Sequence, residues 1–256
     1  MTNVLAIAQK ELRSYFASPI AYIIIGFFAL LFGFMYTSIL DWFIRQGMQM
    51  SMMGMGPRNM NVNQQMIRPL FLNVSVLLLF ILPFLTARSY AEEKRTGTVE
   101  LLLTSPLTDL QIVMGKFAGA MALFGVLMAI TALHIGLLFF FGTPEWRALL
   151  AGYLGIVLFG GCIVAIGLFI SSLTQNQIIA GVATFAVILM LWVVDWLAES
   201  VGPRTGDVLR YLSMTAHLDD FVKGVVDTKH IVYYLSVIGF GLFLTVRSID
   251  AERWRG

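Results

Sequence analysis

The side chains with catalytic or ligating potential are few in this chain and stand far apart. There are three histidines, His134, His217 and His230, and one cysteine, Cys162. None falls at the H-E-x-x-H spacing that puts two imidazoles and a base on one helix face, and no G-x-S-x-G sets a nucleophile on a tight turn. Gly115-Lys116 lacks the earlier glycine and the following hydroxyl of G-x-x-x-x-G-K-[ST], so no amide cradle for nucleotide phosphates is present. These absences argue against an active site, a resident cofactor or ATP binding by the chain itself. The lone cysteine sits in an apolar run and forms no intramolecular disulfide.

Three other features carry weaker chemistry. Met48, Met50, Met52, Met53, Met55, Met60 and Met66 crowd the stretch Asp41–Arg68, half of the chain's fourteen methionines. Thioethers are soft ligands that suit Cu(I), but no histidine or cysteine joins them, and an adaptable apolar surface for lipid or a partner reads equally from the same residues. His134 lies inside an apolar run, where an ionisable group is costly and calls for a role. An interhelical hydrogen bond and the lining of a substrate path are both open to it. Asp195 stands beside Trp192 and Trp196, as an interfacial belt requires, or else on the same path as Thr184.

Composition decides the setting. Of 256 residues, 58% are hydrophobic and 12% charged, with a mean hydropathy of +0.82. Soluble domains carry about a quarter charged residues, so this is an all-α integral membrane protein. A net charge of +2, with no basic cluster interleaved with aromatics, gives no nucleic-acid footprint. Roughly 20 apolar residues cross a ~30 Å hydrocarbon core. By that measure six spans fall at about 20–40, 70–87, 113–141, 148–172, 178–197 and 231–247, in one domain covering 1–256. Lys10 and Arg13 precede the first span as in a signal peptide, but the apolar run is too long and no A-x-A follows, so an uncleaved span is expected.

Helix-start signals punctuate the chain. Ser18-Pro19 opens the first span, and Ser105-Pro106, with Asp109 after it, opens the approach to the third. Before Ser18, Leu5, Ala8, Leu12 and Phe16 share a face opposite Gln9, Lys10 and Arg13, which predicts an interfacial helix along the bilayer. Gly115–Gly119, Ala151–Gly155 and Gly161–Ala165 are small-residue pairs for close helix packing, within the bundle or against a second protomer. Thr215–Val226 puts Leu218, Phe221, Val222 and Val225 opposite Asp219, Asp220 and Lys223, a second interfacial helix serving as lid or anchor. Asp227-Thr228 caps the sixth span.

The most informative stretch is the charged island Arg88–Lys116 between two apolar runs. Glu92, Glu93, Lys94, Arg95 and Glu100 surround Gly97, Thr98 and a stripe of Val99, Leu102 and Leu103 at i, i+3, i+4 spacing, closed by Ser105 and Pro106. A short amphipathic helix at the membrane surface is a docking element for a soluble protein. The even span count puts both termini on the island's side. The opposite side carries about as much positive charge, in Arg45, Arg58, Arg68, Arg147, Arg204, Arg210, Lys223 and Lys229, so charge bias does not orient the chain.

These residues resemble a known family. A-E-E-K-R-T-G-T-V-E-L-L-L-T-S-P-L-T, ending in I-V-M-G-K-F, is similar to the cytoplasmic loop after the second span of ABC type-2 exporter permeases. The opening Q-K-E-L-R-S-Y-F-A-S-P-I-A-Y and the tail H-L-D-D-F-V-K-G-V-V-D-T-K-H-I-V-Y-Y-L-S resemble the gliding-motility GldF-like branch; the methionine-rich stretch is no part of that pattern. The resemblance implies an inner-membrane, bacterial permease with both termini cytoplasmic, a coupling helix within Glu92–Ser105, and a connecting helix over Asn3–Phe16 carrying Lys10, Glu11 and Arg13. It further implies an ABC ATPase subunit that binds the ATP and Mg, a second permease protomer, and a membrane protein with an extracytoplasmic part. His134, Thr184, Asp195, Leu218 and Phe221 are then the expected path or gate. A force-transmitting scaffold needs the same coupling loop, whereas a self-sufficient carrier needs broken or charged midplane helices, for which only His134 and Pro83 are available.

Overall fold

A computed structural model describes residues 2–53, 61–99 and 106–253. Among these the chain is helical almost throughout, with no strand. In order the helices are α1 (Thr2–Ala17), α2 (Pro19–Met52), a π-helical turn (Asn63–Ile67) running into α3 (Arg68–Thr96), α4 (Asp109–Phe141), α5 (Trp146–Ser172), α6 (Gln177–Ser200), α7 (Pro203–Leu212), α8 (Met214–Val222) and α9 (Thr228–Arg253). The six expected spans are present as α2, α3, α4, α5, α6 and α9, each long and apolar enough to cross a membrane.

Helix ends fall at caps and not where hydropathy fades. α2 begins at Ser18, whose Oγ accepts from the Ile20 N–H ahead of Pro19, as read. It then continues to Met52, so at 1.5 Å per residue it outruns a ~30 Å core, and Arg45 pairs with Asp41 at 2.9 Å on the part beyond the expected span. Met48 and Met52 are therefore exposed helical residues, while Met66 is buried in the core; the methionines do not form one loop cluster, and Met55 and Met60 lie outside the described residues. α3 carries the island's charged residues on as helix until Gly97, at φ 72°, where only glycine adopts the left-handed turn without cost. The start of α4 corrects the reading of Ser105-Pro106. Thr108 is its cap, and Thr108 and Gln111 close a reciprocal capping box.

α3 and α5 form the centre of the bundle. Of their most apolar stretches 67% is buried, against 17% for α2 at the periphery. The small residues of α5 let it press into its neighbours: Gly155 faces Phe221, Gly161 faces Ile238, Ala165 touches Gly241, and a Cβ on Gly167 would come 2.0 Å from Thr86 Oγ1. Gly115 and Gly119 on α4 receive Ile7 and Glu11 of α1. The small-residue rows are thus used inside this one chain.

α1 is packed along α4, and its buried line is Ile7, Glu11 and Tyr15 while Leu5 is exposed. The expected apolar face is rotated, because glycine holes on α4 and a buried ion pair, which side-chain hydropathy does not register, select the contact face. The predicted helix over 215–226 ends at Val222, at the left-handed Gly224, and leaves Val225 exposed. α7, ahead of it, was not expected.

Candidate functional site

Lys116, at the start of the third span, is 1% exposed and is the hinge-point of the island end of the bundle. Its Nζ donates to Glu11 Oε1 and to the Ser89 carbonyl, both at 2.8 Å. Glu93 Oε1 lies at 2.9 Å, and the ammonium sits 4.9 Å from the Tyr90 ring centre. Lys10 Nζ closes the group, 3.2 Å from Glu93 Oε1. Two ammonium groups thus balance two carboxylates, which is how a buried charge is tolerated. The cluster ties α1, the extension of α3 and the first turns of α4 together.

Two further contacts fix the α3 extension. Ser171 Oγ, at the end of α5, accepts from the Tyr90 and Ala91 N–H groups at 3.1 Å and donates to the Ala87 carbonyl at 2.7 Å. Lys94 bonds the Ser172 carbonyl and the Glu252 carboxylate. Arg253 pairs with Asp109 at 3.0 Å. Residues from α1 and from the end of α9 therefore meet at the island end, so the first and last helices reach the same side of the bundle.

Between α1 and the α3 extension lies a polar cleft of about 310 Å³, walled by Lys10, Glu11, Tyr15, Arg88, Glu92 and Thr98 among others. Tyr15 bonds Ser89 Oγ at 3.3 Å, and Arg88 lies 5.0 Å from its ring centre. Burial pushes the Tyr15 phenol up to about 12, so it is a neutral hydrogen-bonding group here. Glu93 also lines the cleft, and its Oε2 is buried with no hydrogen-bond partner among the described residues. The arrangement holds no nucleophile–base pair. Its chemistry is that of a rigid polar socket.

The expected docking residues divide between this socket and its rim. Glu93 and Lys94 are tied inward, Glu92 meets Arg88 at 3.8 Å, and Arg95 is exposed. Thr98 bonds Thr96 Oγ1 at 3.0 Å. Val99 is half-buried and Pro106 exposed. Glu100, Leu102, Leu103 and Ser105, most of the predicted apolar stripe, lie outside the described residues. On α1, Lys10 and Glu11 join the cluster and Arg13 points to solvent.

The expected path residues are not brought together. His134 Nδ1 donates to the Ile130 carbonyl of its own helix at 2.9 Å, and its ring meets Phe32 and Tyr36 of α2 edge-on; the contact between helices is aromatic and not a hydrogen bond. Thr184 is buried beside Gly167 and bonds the Ala180 carbonyl, so it is held within the bundle. Leu218 and Phe221 are core residues on α5 and do not line a lumen. Asp195 is half-exposed, 3.9 Å from Arg210, on a cavity at the far end of the bundle. Sequence reading missed Lys116 as a site residue and missed the meeting of His217 with His230. The first had one signal, a lysine at the very edge of an apolar run. The second had another, two histidines flanking the Gly224 turn.

A bundle of six apolar helices, with a polar socket at one end and no reaction centre, defines a membrane permease subunit. The family model described as "ABC-2 family transporter protein" matches residues 57–198, and the chain belongs to that family. Among curated proteins it is 38% identical over 102 residues to the "Probable multidrug ABC transporter permease YbhR" of Escherichia coli strain K12, and equally to that of Escherichia coli O157:H7. Each match covers 39% of this chain and 27% of the relative. The chain is thus a multi-pass membrane protein of a bacterial ABC permease type and not the ATPase, and it spans about a quarter of the length of the curated relatives it matches.

Proposed function

We propose that this subunit couples ATP hydrolysis by a separate nucleotide-binding protein to outward movement of an amphipathic substrate. The observation that carries the reading is the buried Lys116–Glu11–Glu93 cluster. A soluble partner pressing on the island, or on α1, moves a group whose charges cannot separate without a large desolvation cost. The displacement is therefore passed to α4 and, through Ser171 and Lys94, to α5 and α9. Glu92–Ser105 serves as the coupling helix and α1 as the connecting helix, both on the cytoplasmic side of the inner membrane. The predominantly apolar fifth span favours a lipid-like cargo over a small ion, which needs convergent oxygen ligands. The printed description of the Escherichia coli relatives points the same way.

The second reading is a force-transmitting membrane scaffold. It is favoured by the tail's resemblance to the gliding-motility GldF-like branch and by the burial of Thr184, Leu218 and Phe221 in the core of the bundle. A second protomer, identical or not, and a membrane protein with an extracytoplasmic part belong to either reading. Inverted vesicles containing the subunit and its copurifying ATPase discriminate them. ATP-dependent accumulation of a fluorescent amphipath supports transport. ATP hydrolysis that responds to the subunit, with no accumulation of lipid or amphipath, favours the scaffold.

A further inference from the structure

At the end of α9 away from Arg253, α7, α8 and the first turn of α9 surround a cavity of about 570 Å³. His217 on α8 and His230 on α9 meet at its wall, Nδ1 to Nδ1 at 2.6 Å. His217 Nε2 is 3.0 Å from the Tyr211 carbonyl oxygen. His230 Nε2 is 2.8 Å from Asp220 Oδ2. Both rings are buried, and Tyr233 stacks on His217 at 3.9 Å between ring centres.

The hydrogen bonds fix the proton count. A backbone carbonyl only accepts, so His217 Nε2 carries a proton. An ionised carboxylate only accepts, so His230 Nε2 carries one as well. Between the two Nδ1 atoms there is room for one proton and a need for one. All three contacts are satisfied together when the two rings carry three protons, where two neutral imidazoles carry two.

We infer that His217 and His230 form a binding site for a single proton, and that this proton locks α8 onto the start of α9. Removing it leaves one of the three contacts with two lone pairs face to face. Adding a second removes the Nδ1 acceptor and sets two imidazolium rings in contact. The chain Asp220–His230–His217–Tyr211 is complete only with the one shared proton.

The charged and titratable surroundings come from every neighbouring element. They are Asp195 on α6, Asp207 and Arg210 on α7, Asp219 and Lys223 on α8, and Lys229, Tyr233 and Tyr234 on α9. Arg68 reaches in through Asp219 at 2.8 Å, and Cys162 of α5 stands behind Tyr234. Burial holds the His217 imidazole below its ordinary value; the Tyr211 carbonyl opposes this, and His230 and Lys229 add to it. A base whose folded value is depressed favours folding in its neutral form. Its contribution is present above the ordinary histidine value of about 6.5 and is lost as pH falls below it. Loss of the shared proton weakens the same lock from the alkaline side. The lock serves a transporting and a force-transmitting subunit alike.

The test uses the full chain in lipid nanodiscs with ¹⁵N-labelled histidine, followed from about pH 5 to 9. Nitrogen spectra of wild type, His217→Gln and His230→Gln are combined with amide hydrogen exchange over residues 213–231. We expect three ring N–H protons on the pair near neutrality. Exchange protection of α8 should pass through a maximum and fall several-fold on both sides. His217→Gln, with a neutral carboxamide, should flatten the acid side, and His230→Gln the alkaline side. Two rings that titrate independently, each indifferent to substitution of the other, would overturn the site, as would protection that is flat with pH. If a variant does not fold, the wild-type proton count alone decides.

Discussion

Lys116 Nζ lies 2.8 Å from Glu11 Oε1, and this one contact joins residues 105 apart in sequence. It sits where the first helix, the island and the third span converge, and Glu93 shares the same ammonium at 2.9 Å. Removing the lysine leaves the two carboxylates without their buried cation and with only the exposed Lys10 ammonium beside them. Lys116→Met should lower the unfolding free energy by about 3–5 kcal/mol, read as a fall in the thermal midpoint in detergent. Lys116→Met combined with Glu11→Gln and Glu93→Gln should recover most of that loss. Equal destabilisation in the single and combined variants would mean that packing and not charge holds the site.

The contact between α3 and α5 at Gly167 has no slack. A Cβ there meets Thr86 Oγ1 at 2.0 Å, so Gly167→Ala should cost about 1–3 kcal/mol through overpacking. Gly125, with nothing within 4 Å of its Cβ position, is the control. Gly125→Ala should be neutral or stabilising by up to about 1 kcal/mol, since alanine is the better helix former. The two midpoints measured side by side check the assignment.

On the proposed reading the ATPase docks on Val99, Leu102 and Leu103. A leucine-sized side chain buried at an interface is worth roughly 1.5–3 kcal/mol. Leu102→Asp should therefore abolish copurification of the ATPase while membrane insertion stays normal. Undiminished ATPase recovery would remove the island from the docking surface.

For the proposed second protomer, the exposed face of α6 is the expected contact surface. Ile178, Val182, Leu189 and Met190 are exposed, whereas Ala180, Thr184 and Ile188 are buried within the chain. Single cysteines at the first set, in a Cys162→Ala background, should crosslink between protomers, and those at the second set should not. Crosslinks confined to α2 would relocate the interface.

Much of the fold was legible because membrane spans obey a local rule. An apolar run such as Ile20–Leu40 or Ala148–Ser172 becomes a helix from its own hydrogen bonds and hydropathy, and six such runs give six spans. The local signal at Ser18-Pro19 also placed a helix start, whereas the helix end at Gly224, one of two described glycines at positive φ, cuts short the helix that periodicity ran to Val226. The permease family was legible for a related reason, since the island is one contiguous motif.

What the sequence by itself determined is therefore composition, span number, the absence of a phosphate loop, and the family. What tertiary structure decided is which polar groups meet. Side-chain periodicity placed Leu5 on an apolar face toward the bilayer and gave no sign that Glu11 is buried, which follows because a lysine from α4 and a glycine row are there to receive it. His217 and His230 read as isolated, yet their Nδ1 atoms meet at 2.6 Å, because the Gly224 turn folds α8 back on α9. Pairings of this kind depend on the packing of distant helices. No spacing within one helix records them, and so the socket at Lys116 and the histidine pair emerged only from the folded bundle.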